Sequence, residues 1–152
     1  MIDQTIQVVI NAPHKDVYNY ISDLRNDREW RTEVILTSSQ ADLEIGNIAI
    51  ESSFLSRKIP QYIRRLECIA FQQNDMILYQ TLDGDPHYLK STRSVQICEG
   101  DSTRFIYRLE FDQSIVKHAL GFSLPKLNID VVTRRSMRNY MNNLKTILET
   151  NV

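Results

Sequence analysis

The stretch from Leu124 to Thr150 constrains the fold more than any other part of this chain. At about 100° per residue, Ile129, Thr133, Met137, Tyr140, Met141, Leu144, Ile147 and Leu148 share one arc of ~120°. Arg134, Arg135, Arg138, Asn139, Asn142, Lys145 and Glu149 fall on the opposite arc. This is an amphipathic helix with one stripe to bury. Ser123 suits the N-cap, and Pro125 fits the first turn, where its missing N–H costs nothing. What precedes it reads mostly as strands, so the stripe must lie against a sheet.

The periodicity of that earlier part is mainly two. Thr5 to Asn11 alternates, with Ile6, Val8 and Ile10 on one face. Asn11-Ala12-Pro13 breaks the strand, and His14 to Ser22 follows at helical spacing through Val17, Tyr18 and Ile21. Asp23 to Glu29 is polar, suits a second short helix and ends at Trp30; Glu33 to Ser38 is a short strand. Strands are then expected at Ile48 to Arg57, Gln61 to Phe71, Met76 to Leu82, His87 to Cys98 and Thr103 to Asp112. Asp83-Gly84-Asp85-Pro86 and Glu99-Gly100-Asp101 mark hairpin turns. In the last strand Phe105, Tyr107, Leu109 and Phe111 share a face, with Arg104 and Arg108 on the other. It should pair with both the first strand and the His87 to Cys98 strand. Ser114 to Phe122 reads as a connecting segment of one helical turn or two.

Composition narrows the function classes. A chain of 152 residues reads as a single domain over 1–152, large enough for a real core. A net charge of −1 gives no electrostatic reason to expect nucleic acid. No apolar run is long enough to span a bilayer, and Met1-Ile2-Asp3-Gln4 lacks the pattern of a signal peptide, so the chain reads as cytoplasmic. Neither Cys68 nor Cys98 has a second thiol or a His at ligand spacing, which argues against a zinc site. Two strands separated by a third would hold them too far apart for a disulfide, leaving two small buried apolar side chains. Nothing in the spacing calls for a metal or another cofactor.

The element order, the run Ile10-Asn11-Ala12-Pro13-His14-Lys15-Asp16-Val17-Tyr18-Asn19-Tyr20-Ile21-Ser22-Asp23 and the following Trp30 resemble the START-like or Bet v 1-like (SRPBCC) superfamily. The polyketide cyclase/dehydrase-type branch is the nearest in pattern. The finish Leu144-Lys145-Thr146-Ile147-Leu148-Glu149 matches the Leu-Lys-x-x-Leu-Glu ending of such chains. The resemblance covers essentially the whole chain. It implies an α+β helix-grip fold: a curved seven-stranded antiparallel sheet wrapped around the C-terminal helix, with two short helices after the first strand. A cavity is expected between the sheet and the N-terminal half of that helix. Members bind lipids, sterols, quinones, hormones or polyketides, and only some are enzymes.

Residues on the expected concave face then become candidates for a cavity wall: Phe54, Tyr62, Arg64, Arg93, Phe105, Tyr107, Met137, Tyr140 and Met141. Their mix suits a small hydrophobic or amphipathic ligand with an acidic or carbonyl group. Met137 and Met141 beside hydroxyls suit an adaptable pocket or plain core filling. Arg64 shares a face with Tyr62, Leu66 and Cys68; it either clamps a ligand or reaches solvent at a strand end. Arg93 shares a face with Leu89, Val95 and Ile97, and an inward guanidinium needs a partner, from the protein or a ligand. No carboxylate sits where it would orient His14, His87 or His118, so all three read as solvated; His118 lies where a lid would. Trp30 reads as a core anchor. Val131 and Val132 cannot both join the buried stripe, and a kinked first turn or a homodimer contact would account for them.

Three functions fit these readings. A carrier or sensor of a small amphipathic molecule needs only a cavity and a few polar groups. A cyclase or dehydratase on a polyketide-like substrate needs an inward acid–base set such as Arg64, Tyr107 and Tyr140. A protein-interaction module would keep the fold and pack the cavity shut. The absence of a concentrated catalytic motif weighs against the second.

Overall fold

Hydrophobic alternation and a single amphipathic helix resolve into one sheet gripping that helix. The computed structural model describes residues 1–40 and 42–150. Strand β1 (Ile2–Ile10) leads into helix α1 (His14–Ser22), a 3-10 turn (Leu24–Asn26) and the one-turn helix α2 (Asp27–Trp30). Strands β2 (Val34–Ser38), β3 (Ile48–Ser53), β4 (Tyr62–Gln72), β5 (Met76–Thr81), β6 (Leu89–Ile97) and β7 (Thr103–Phe111) follow, then α3 (Ser114–Leu120) and α4 (Lys126–Thr150). The seven antiparallel strands lie in the order β1-β7-β6-β5-β4-β3-β2. Strand β7 pairs with both β1 and β6, as its clean alternation led one to expect.

The side-chain faces of β7 also agree with the sequence. Phe105 and Tyr107 are fully buried, while Arg108 lies outside with Asp3, 2.8 Å away. Met137, Tyr140, Met141, Leu144 and Leu148 of α4 join Leu66, Ile77, Val95 and Phe105 of the sheet in one core. Trp30 is its anchor: wholly buried, with its ring edge-on to Phe105, Tyr107 and Tyr140. Among the described residues no helix is long and apolar enough to cross a membrane.

Several boundaries move for local reasons. β1 begins at Ile2 rather than Thr5 because β7 is long enough to give Ile2 a partner, Phe111. β3 stops at Ser53, short of Arg57, because Leu55 N and Ser56 N both donate to Ile59 O and close a tight loop. β6 begins at Leu89, since the Asp85 carboxylate accepts from His87 N and prolongs the turn. α4 starts at Lys126, where Pro125 O accepts from Asn128 N and Ile129 N; Pro125, not Ser123, therefore precedes the first turn. The connecting segment 114–120 is helical, ended by Gly121 at φ 84, a conformation glycine adopts without steric cost. Both cysteines are free; Cys68 is buried and Cys98 only half-buried.

The main departure concerns β3. Its isoleucines, Ile48 and Ile50, stand on the exposed face, and Ala49, Glu51 and Ser53 point inward. Glu51 pairs directly opposite Arg64 of β4. Residues opposite each other in a ladder share a face, so an inward Arg64 requires an inward Glu51. Phe54, three positions on, is exposed.

Candidate functional site

Strand parity and one short helix assemble a buried chain of charges. Arg93 of β6 donates through Nη1 to Ile21 O (2.7 Å) and Asp27 Oδ1 (2.9 Å), and through Nη2 to Asp27 Oδ2 (2.5 Å). Its guanidinium also lies over the Trp30 and Tyr107 rings. Asp27 Oδ2 accepts in turn from Arg31 Nη1 at 3.0 Å, and the same nitrogen reaches Glu51 Oε2 at 2.9 Å. Arg31 Nη2 donates to Glu33 Oε1 (3.2 Å), and the Tyr140 hydroxyl of α4 donates to Glu33 Oε2 (2.5 Å). Asp27 and Glu51 are both about 1% exposed, so each would be very unfavourable without these partners.

The titration directions follow from this arrangement. Burial by itself would raise the Glu51 carboxyl, but the guanidiniums of Arg31 and Arg64 and the Ser53 hydroxyl hold it down to about 2. Burial opposes the charge on Arg31, yet its carboxylate neighbours, Glu51 foremost, keep it firmly protonated. Burial, then the Glu33 carboxylate, push the Tyr140 phenol well up, so it remains a hydrogen-bond donor.

Arg31 and Arg93 each leave a buried Nε unpaired, but Arg64 has fewer partners still. Arg64 is 8% exposed, and its nearest acid is Glu51, with Nε 3.7 Å from Oε1, beyond hydrogen-bond reach. Among the described residues its guanidinium makes no hydrogen bond, and Nε is fully enclosed. Glu51 is already engaged by Arg31 and Ser53.

Arg64 borders a cavity of about 190 Å³ between the sheet and the N-terminal half of α4. Arg31, Glu33, Ser53, Arg64 and Tyr140 form its polar end. Leu89, Leu109, Phe111, Ile115 and Met137 form its apolar walls, with Thr133 and Ser136 supplying hydroxyls from α4. Leu55, Ile115, Val132 and Thr133 also border an adjoining, almost wholly apolar space of about 260 Å³ between α3 and α4. Two hydroxyls clasp α3 over this region: Ser56 Oγ donates to Ala119 O (2.5 Å), and Ser114 Oγ lies 2.8 Å from His87 Nδ1.

Of the nine residues read from the sequence as a wall, Arg64, Met137 and Tyr140 border the cavity. Tyr62 does not border it; its ring lies 5.2 Å from the Arg64 guanidinium and 5.8 Å from the His118 ring. Phe105, Tyr107 and Met141 are packed in the core beyond the cavity wall. Arg93 is taken up by Asp27; its partner is an internal acid, supplied by α2 rather than by a neighbouring strand. Phe54 is on the exposed side. Sequence reasoning passed over Arg31, Glu33 and Glu51. The pairing of β3 with β4 was the signal that could have found Glu51, since it ties Glu51 to the face of Arg64.

No protein-family model matches this chain, and no curated protein sequence matches it. Solved structures do. A START superfamily protein from Mycobacterium smegmatis superposes with a TM-score of 0.76 at 14% identity, covering 99% of both chains. A protein of Deinococcus radiodurans gives 0.74 at 13% identity over 100% of both. The Zhui aromatase/cyclase of a Streptomyces species gives 0.72 at 12% identity, over 97% of this chain and 93% of that one. At such low identity the likeness establishes the fold: this chain has the START-like, Bet v 1-like helix-grip architecture.

Proposed function

We propose that the chain is a carrier or sensor that binds a small amphipathic molecule in the cavity beside α4, with the ligand's carboxylate or carbonyl oxygen on Arg64. The observation that carries this reading is the Arg64 guanidinium: buried, facing the cavity, and without a hydrogen-bond acceptor among the described residues. A buried cation in that condition is costly, and an oxygen ligand would relieve it. The apolar walls and the adjoining space between α3 and α4 suit the ligand's hydrocarbon part. Burial of that part contributes about 25 cal/mol per Å², and the polar end fixes orientation.

The test is displacement of a bound fluorescent probe, anilinonaphthalene sulfonate, by a straight-chain carboxylic acid and by the alcohol of equal length. The acid should compete better, and Arg64→Met should abolish the difference, a change of roughly tenfold or more for a charge-assisted hydrogen bond. Equal competition by acid and alcohol in the unaltered protein would remove Arg64 from this role. One feature favours a second, cyclase-like reading: Tyr140 and Glu33 form a hydrogen-bonded acid–base pair in the cavity wall. Turnover of a poly-β-ketone that is lost in Tyr140→Phe while ligand affinity is retained would select that reading.

A further inference from the structure

The loop between β3 and β4 and the stretch from α3 into α4 carry an uneven share of the charge. Residues 54–61 and 115–138 contain seven of the 18 Lys and Arg but one of the 19 Asp and Glu, in a chain of net charge −1. All seven cations, Arg57, Lys58, Lys117, Lys126, Arg134, Arg135 and Arg138, are exposed. Among them stand large apolar side chains that no described residue covers: Leu127 is 77% exposed, Val131 58% and Phe122 57%.

Contacts in the fold bring the Arg57 and Lys58 loop to α3, while Arg134 of α4 donates to Gln4 Oε1 of β1. The loop holding Arg57 and Lys58 is bound to α3 through Ser56 and Ala119 O. A Cβ at Gly121 would meet Lys58 Nζ at 2.6 Å, which puts this ammonium against Gly121, the residue before Phe122. On α4, Leu127, Val131, Arg135 and Arg138 follow one another at intervals of three or four residues, along one stripe. Val132 joins this surface to both parts of the cavity.

We propose that this surface docks on an anionic lipid bilayer, with Phe122, Leu127 and Val131 entering the interface and the surrounding Lys and Arg meeting the headgroups. Apolar side chains ringed by cations are the pattern that combines hydrophobic insertion with headgroup attraction. A second copy of the chain does not fit the same face, since it would set seven cations against seven. The docking proposal itself stands whether or not Arg64 holds a ligand, because it is read with vesicles alone.

Vesicle flotation is the experiment. The protein should float with vesicles of phosphatidylglycerol and phosphatidylcholine, with partitioning roughly tenfold or more above that for phosphatidylcholine alone, and 0.5 M salt (about a 4 Å screening length) should reduce it. Leu127→Glu/Val131→Glu replaces side chains with little packing and should abolish flotation with an unchanged circular dichroism spectrum. Ile97→Glu is the control; that residue is 73% exposed near the far end of α4, a helix of 25 residues and so about 38 Å long. No flotation, equal flotation with both vesicle types, or loss of flotation in Ile97→Glu but not in the double variant would overturn the proposal. So would a dimer in light scattering that the double variant dissolves.

Discussion

Arg93 and Arg64 face inward from neighbouring parts of the same sheet, yet their situations differ by one acid. Arg93 has both Asp27 oxygens and a backbone carbonyl, whereas Arg64 has only a distant Glu51. Removing Asp27 strands Arg93 and deprives Arg31 of a partner. Asp27→Ala should therefore cost about 3–5 kcal/mol in urea denaturation. Arg64→Met, which separates no hydrogen-bonded pair, should cost clearly less in the same assay. The wall assignment of α4 has its own test. Tyr140→Trp overfills the cavity and should weaken hydrophobic-probe binding by about tenfold, an overpacking penalty of 1–3 kcal/mol. Arg138→Ala, on the exposed face, should leave binding unchanged; equal probe affinities in the two variants would remove α4 as the ligand wall.

At the scale of elements, α3 is held by few contacts, and one of them titrates. Burial first, and the neighbouring His118 second, lower the His87 pKa below its usual 6.5; Asp85 and Asp112 oppose this, and Arg64 adds to it. The folded protein therefore binds a proton at His87 less readily than the unfolded chain does. The His87 contribution is intact above pH 6.5 and declines as pH falls through 6.5 toward the lower folded value. The two imidazoles, 5.1 Å apart between centroids, would repel once both are charged. Hydrogen exchange in residues 114–120 should accelerate over that range while β7 amides stay protected, and His87→Gln should flatten the response. In α4 the buried stripe carries the stability: Leu144 is wholly buried, and Leu144→Ala should cost about 2–5 kcal/mol in chemical denaturation.

The whole molecule gathers its buried charges at one level, where α2, β3, β4, β6 and α4 converge. Its acid stability follows from Glu51. With the folded pKa near 2 against 4.5 in the ordinary carboxyl, this group's stabilisation is present above pH 4.5 and lost as pH falls through about 2. A circular dichroism titration should show the molecule losing stability between those values, and Glu51→Gln should remove most of that dependence at the cost of lower stability near neutral pH.

The sequence by itself determined the order of elements, the turn positions, the concave face of β7 and the buried stripe of α4, because each follows from a local period or a turn residue. The resemblance carried by the Ala-Pro helix entry, Trp30 and the Leu-Lys-x-x-Leu-Glu finish extended this to the helix-grip fold. The candidate site was legible only in part. Strand parity and helix phase could place Arg64, Met137 and Tyr140 beside the cavity. They could not place Glu51, Arg31 and Asp27: an inward acid looks like an outward one until its partner is known. Phe54 was placed on the inner face, but it shares the exposed side with Ile48 and Ile50. The partner of Asp27 is Arg93, 66 residues away, and the partner of Glu51 is Arg31, on the far side of β2. Alternation reports that a strand has two faces. Only tertiary structure decides which face goes inside, because a buried charge is tolerated only where another element delivers its counter-charge.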